Sequence, residues 1–157
     1  MLTKAELPSG VRINAKQSGV NLLEKEGGNA QLFQILRPLG FVADYGAQYY
    51  GRPSRVAYVE SIAFLFKTAT GASKALVAMH QALRQLGQGV KDVSPPRLGE
   101  ESWGVSGVFF PKAPPGYFYV WRLRNLILQF TMSGAKTVVT APSARAYAAK
   151  LNQHAAR

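Results

Sequence analysis

The sequence predicts an α+β domain: a mainly antiparallel, twisted sheet of about five strands, with two longer helices packed on it and a short N-terminal helix. Three observations predict it. The longest apolar run, Tyr117 to Met132, folds back on itself in register. With Arg124 and Asn125 as the loop, Leu123 faces Leu126, Trp121 faces Leu128, Tyr119 faces Phe130 and Tyr117 faces Met132, so one face is wholly apolar. A slip of one residue would mix that set with Phe118, Val120, Arg122, Ile127, Gln129 and Thr131 on the other face. Second, Ala69–Leu86 places Ala72, Ala75, Leu76, Met79, Leu83 and Leu86 on one helical stripe, and the segment opened by Pro142 does the same with Ala144, Tyr147, Ala148, Leu151 and Ala155. Third, the turn Gly51-Arg52-Pro53-Ser54 joins two extended stretches by a connection short enough only for antiparallel neighbours.

Residues 1–28 read as an irregular lead-in and 29–157 as a single α+β domain. In the lead-in, Leu7-Pro8-Ser9-Gly10 is a turn, and Gly27-Gly28 stops one helical turn. Asn29 caps a short helix over Ala30 to Arg37, which Pro38-Leu39-Gly40 ends. FVADYGAQYY then alternates, with Phe41, Ala43, Tyr45, Ala47 and Tyr49 on the apolar side and Asp44 and Gln48 between them, as in a half-exposed strand. Val56 to Lys67 is the next strand, covered at least partly on both faces. The helix that follows takes Thr68 or Thr70 as N-cap and Gly87 as its stop. Val90 to Val93 is a loop or a short strand. ESWGVSGVFF is a strand whose glycines mark a bulge or a close backbone approach. Lys136 to Thr140 adds a short extended piece before the last helix. One strongly aromatic face of the sheet is expected to take both longer helices.

A chain of 157 residues, 47% apolar and with no cysteine, is long enough for one well-filled core and excludes disulfides, thiolate metal sites and a cysteine nucleophile. The N-terminus has no apolar h-region. The protein is therefore either cytosolic or the mature form of an exported chain. The net charge of +11 is uneven: residues 52–157 hold 14 of the 19 bases, and no carboxylate side chain follows Glu101. Such a half attracts polyanions or an anionic surface, or serves solubility alone.

No constellation licenses a reaction. There is no phosphate-binding G-x-x-x-x-G-K-[ST], and Gly104-Val105-Ser106-Gly107 lacks the spacing and the following helix of a nucleophile elbow. His80 and His154 have no second histidine or carboxylate at ligand spacing and read as surface residues. Glu100 and Glu101 are adjacent and in a strand point to opposite faces. Glu60 shares a strand face with Tyr58 and Ile62. If that face is covered, it needs a partner such as Arg122 or Arg55; otherwise it lies near an edge in water. No catalytic residue, metal site or cofactor is expected.

Several phrases, LTKAELPSG, GRPSRV, FLFKTATGASKALVAMHQAL, LGEESWGV, YVWRLRNLILQFTMSG and ARAYAAKLNQH, together resemble a group of small bacterial exported, often lipoprotein-type, cell-envelope domains of unassigned function. The likeness runs from about residue 30 to the end and rests on an acidic pair before a strand and on the hairpin Trp121-Arg122-Leu123-Arg124-Asn125, where glycine is usual at the position of Arg124. The resemblance implies an extracytoplasmic, non-enzymatic domain and carries no active site with it.

The functional expectation is a cell-envelope binding domain with an apolar or aromatic-lined pocket, for which Tyr58, Glu60, Trp103, Tyr119 and Trp121 are the candidate residues. An alternative is a self-assembling structural protein that associates through Phe118, Val120 and Ile127 on the outer sheet face. A polyanion or nucleic-acid binder using a basic surface of Arg122, Arg124, Arg145 and Lys150 is the third. The hairpin register speaks against nucleic acid, because it turns Tyr117, Tyr119 and Trp121 to the apolar face and leaves too few rings for a stacking platform. The partners left are a small apolar ligand or a second copy of the chain.

Overall fold

The computed structural model describes residues 2, 4–21, 30–86, 88–109 and 112–156. In chain order the elements are β1 (Arg12–Val20), α1 (Ala30–Leu36), β2 (Phe41–Tyr50), β3 (Val56–Phe66), α2 (Ala69–Leu86), β4 (Gln88–Asp92), β5 (Glu101–Val108), β6 (Gly116–Leu123), β7 (Leu126–Gly134) and α3 (Ala141–Ala155), with 3₁₀ turns at Lys4–Glu6 and Arg37–Leu39. The α+β class is as the sequence predicts, but the sheet has seven strands rather than about five, in the order β1-β2-β3-β7-β6-β5-β4. All neighbours are antiparallel. The additions are at the edges. β1 lies in the stretch read as an irregular lead-in, where its register against β2 shifts between Ile13 and Ser18. β4 is the piece left between loop and strand. Lys136 to Thr140 is no strand: Val138 and Val139 both donate to the Ala135 carbonyl, at 2.9 and 2.8 Å, in a turn that leads to the N-cap of α3.

The central hairpin has the predicted register, with Leu123 opposite Leu126, Trp121 opposite Leu128 and Tyr119 opposite Phe130. Its Arg-Asn turn works because neighbouring groups hold it. Arg124 takes a left-handed φ of 55°, and its N–H donates to Glu100 Oε1 at 3.0 Å. Asn125 Nδ2 donates to the Phe66 carbonyl at 2.8 Å, and the Phe66 N–H donates back to the Asn125 carbonyl at 2.9 Å.

The longer helices do not share a face. α3 packs Ala144, Ala148 and Leu151 on Tyr119, Trp121, Leu128, Phe130 and Met132, with Leu2 and Val139 closing that core. α1 and α2 pack Phe33, Leu36, Ala72, Ala75, Leu76 and Met79 on Ile62, Phe64, Phe66, Val120 and Ile127 on the opposite side. Three layers result because both faces of β3, β6 and β7 carry large apolar side chains, each worth about 1.5–3 kcal/mol when fully buried. Thr68 is the cap of α2, its hydroxyl accepting from the Gly71 N–H at 3.0 Å. The glycines of β5 also have a packing reason: a Cβ on Gly104 would stand 2.6 Å from the Tyr119 ring.

Val120 and Ile127, expected on an exposed outer face, are 0% exposed beneath α2, and Phe118 is partly buried beside them. The correction is a consequence of the third layer.

Candidate functional site

Arg122 was expected on a basic surface but is only 9% exposed. The β5–β6 register sets it opposite Glu101. Its Nε and Nη2 donate to Glu101 Oε1 at 2.9 and 2.7 Å, and Nη1 meets Glu100 Oε2 at 2.6 Å. Both glutamates therefore serve one guanidinium, although they are adjacent in sequence. Nη1 also donates to the Arg124 carbonyl at 2.9 Å, so the cluster fixes the hairpin turn. The other three bases do not join Arg122 in a patch. Arg124 is exposed at the turn. Arg145 donates to the Ser94 carbonyl at 2.6 Å, and Lys150 lies over the Tyr147 ring at 5.1 Å, both on α3.

Glu60 is in neither of the settings expected for it. It is 6% exposed, in the middle of the sheet, and pairs with no arginine among the described residues. Tyr58 Oη and Gln48 Nε2 donate to its Oε1 at 2.6 and 3.0 Å. Gln129 Nε2 donates to Oε2 at 2.7 Å, and the Thr131 hydroxyl stands against the same carboxyl group. Strand register builds this set: Gln48, Glu60, Thr131 and Phe118 form one row across β2, β3, β7 and β6. The next row holds Tyr50, Tyr58 and Ser133. Burial pushes the Glu60 carboxyl above the ordinary glutamate range, with the donors opposing it. These rows lie along the strands from Ile62, Val120 and Ile127, where the apolar core under α2 sits.

Beside the polar rows runs a series of rings. His80 stacks on Trp103 at 4.6 Å, Trp103 on Phe118 at 5.7 Å, and Phe118 meets Phe109 at 5.8 Å. The Trp103 indole is pinned by a 3.1 Å bond from Nε1 to the Leu76 carbonyl of α2. His80 Nε2 lies 2.9 Å from Asp92 Oδ1, a carboxylate brought by β4. That contact holds the Asp92 carboxyl below its usual range.

On the α3 side, Tyr119 and Trp121 are 0% exposed. The Trp121 indole donates to Asn152 Oδ1 at 2.9 Å, and burial raises the Tyr119 phenol. These two candidate pocket residues are closed core. A cavity of about 200 Å³ does exist on this face, farther along the sheet, lined by Tyr45, Ile62, Ala63, Leu126, Leu128, Leu151, His154 and Ala155. Tyr45 is 49% exposed and Leu65 38% exposed near its mouth, and Val20, opposite Tyr45, is 56% exposed. The imidazole in the lining is that of His154, whose Nε2 lies 2.8 Å from Glu6 Oε1 at the end of the first 3₁₀ turn. Both histidines thus face carboxylates from distant segments, which sequence spacing gave no means of seeing.

Of the five candidate pocket residues, the fold brings together Tyr58 and Glu60, sets Trp103 on the same face three strands away beside Phe118, and puts Tyr119 and Trp121 on the other. Sequence reasoning missed Gln48, Gln129 and Thr131 around Glu60. The hairpin register had already put Gln129 and Thr131 on one face with Val120, but only the β3–β7 pairing sets Glu60 among them. Among the described residues no group of three or more histidines and carboxylates is arranged to hold a metal ion, and no helix is long and apolar enough to cross a membrane.

No protein-family model matches the chain, and no curated protein matches it significantly. Among solved structures, the extracellular domain of PknH from Mycobacterium tuberculosis superposes with a TM-score of 0.56 at 11% identity, over 92% of this chain and 81% of that one. At that identity the two share a fold: an antiparallel sheet with helices on it, carried by almost entirely different side chains.

Proposed function

We propose that this chain is an extracytoplasmic binding domain of the bacterial envelope that acts by holding a small, largely apolar molecule rather than by turnover. The observation that carries the proposal is the cavity of about 200 Å³ between β2, β3, β7 and the end of α3. Its walls are the apolar side chains of Ala63, Leu126, Leu128 and Leu151, together with the His154 ring braced by Glu6. Apolar cavities of about 150 Å³ accept benzene. This one has room for a single substituted ring or a short acyl chain, with a head group directed at the imidazole. The exposed Tyr45, Leu65 and Val20 extend the apolar surface outward for a longer ligand. Placement outside the cytoplasm is supported by the likeness of fold to an extracellular domain and by the sequence resemblance to envelope domains.

The test combines native mass spectrometry of protein purified from its source with titration of the neutral single-ring fluorophore 4-(dimethylamino)benzonitrile, whose emission rises in apolar surroundings. A co-purified small molecule, or a saturable fluorescence rise lost in Ala63→Trp, is expected. Protein that carries no adduct and gives no saturable rise would overturn the reading.

A further inference from the structure

We propose a second binding site, on the opposite face of the sheet and independent of the apolar cavity: the polar rows around Glu60 bind a neutral polyhydroxyl ligand of the saccharide class. Polar side chains in a sheet interior cost stability against apolar ones of equal volume. Here Gln48, Tyr58, Glu60, Gln129, Thr131 and Ser133 are all buried on β2, β3 and β7. The group is not sealed. Gln48, Glu60, Gln129 and Tyr58 keep 5, 6, 6 and 8% of their surfaces exposed, so the group meets solvent at its edge.

The hydrogen-bonding capacity that remains selects the ligand. The Glu60 carboxyl group is occupied on both oxygens, by Tyr58 and Gln48 on one and Gln129 on the other. A cation finds little open acceptor there, and the carboxyl group repels an anion. Among the described residues the Gln129 carboxamide bonds only Glu60, which leaves its carbonyl and second N–H for a ligand. Gln48 donates to Glu60 and accepts from Tyr50 at 2.8 Å, leaving its second N–H. The Gln129 carboxamide thus offers a donor and an acceptor beside the second N–H of Gln48, both amides being held at the one Glu60 carboxyl group, a pairing that vicinal hydroxyls satisfy, each giving one hydrogen and accepting another. In the Glu60 row, β6 supplies the partly exposed ring of Phe118, backed by Trp103, for the C–H face of a sugar ring.

The experiment is a ¹H–¹⁵N titration of the intact chain with glucose, N-acetylglucosamine and trehalose, each to about 50 mM, enough to fill a site of millimolar Kd. The expected result is a saturable shift of the Gln48 and Gln129 side-chain amides with at least one sugar, at least tenfold weaker in Gln129→Leu and unchanged in Ala63→Trp. No saturable shift at those amides with any sugar, or a shift that methylammonium reproduces, overturns the proposal. The wild-type shifts decide the matter by themselves if Gln129→Leu does not fold.

Discussion

Glu60→Gln is the substitution that most directly interrogates the buried carboxyl group. Glutamine keeps the volume of the side chain but replaces an acceptor oxygen by an NH₂ group, which must then face the amide of Gln129 or Gln48. That mismatch costs about 1–3 kcal/mol at every pH, because it leaves buried donors unpaired. The pH-dependent part has a definite sign. Burial is the largest influence on Glu60 and raises its pKa in the folded protein above the ordinary value of 4.5. The unfolded chain titrates near that ordinary value. The folded state therefore binds the proton more tightly, and the stability this provides is complete below the unfolded pKa. It is lost as pH rises from there through the folded pKa. Each pH unit of separation between the two values corresponds to about 1.4 kcal/mol. Urea unfolding of wild type and Glu60→Gln between about pH 4 and pH 8 isolates the effect, since all other titrating groups are common to both. The wild-type advantage is expected to shrink as pH rises and then level off, with a slope no steeper than about 1.4 kcal/mol per pH unit. An advantage that grows with pH would refute the reasoning, because it would mean that the four donors outweigh desolvation and favour the carboxylate.

Substitutions at two further positions test the layers around this site. Ile127→Ala, at a position that is 0% exposed, is expected to lower stability by about 2–5 kcal/mol in urea unfolding. Ile127→Glu unfolds the chain, whereas a soluble, folded monomer in sedimentation would restore the reading of that residue as a self-association contact. Arg122→Lys loses the geometry that serves Glu100 and Glu101 together. The carboxylates are 48 and 38% exposed, so the loss is expected at about 1 kcal/mol. A fall of Tm of several degrees would accompany it, and an unchanged Tm would show that the fork contributes nothing.

The parts of the fold legible in the sequence are those set by local periodicity. The hairpin register, the stripe of α2 and the stripe of α3 depend on residues a few positions apart; the first and last are found as read, and the α2 stripe is buried from Ala72 through Met79. What was illegible depends on pairing between distant segments. The short loop before Gly116 makes β5 a neighbour of β6, but nothing near Arg122 in sequence fixes the register that delivers two glutamates to it. The faces taken by the two long helices were equally hidden, because β6 and β7 offer large apolar side chains on both sides. A single aromatic face looked sufficient for both helices until Val120 and Ile127 are counted as a second core.

β2 shows why that error and the candidate sites belong together. Its alternation reads as apolar residues toward the core and polar ones toward water, and the fold partly inverts it. Asp44 and Gln48 are 2 and 5% exposed, while Tyr45 is 49% exposed. A strand at the margin of a two-layer domain would turn Gln48 outward at no cost. In a three-layer domain both faces are covered, so polar residues that alternation assigned to water are taken inside and must find partners there. Gln48 does so with Glu60 and Tyr50, and the displaced aromatic surface of Tyr45 borders the apolar cavity on the other side. Places where local pattern and global fold disagree carry a cost in stability and are where function is expected to concentrate. Here the disagreement falls on one strand that borders both proposed sites, with its polar residues facing one and its aromatic residue facing the other.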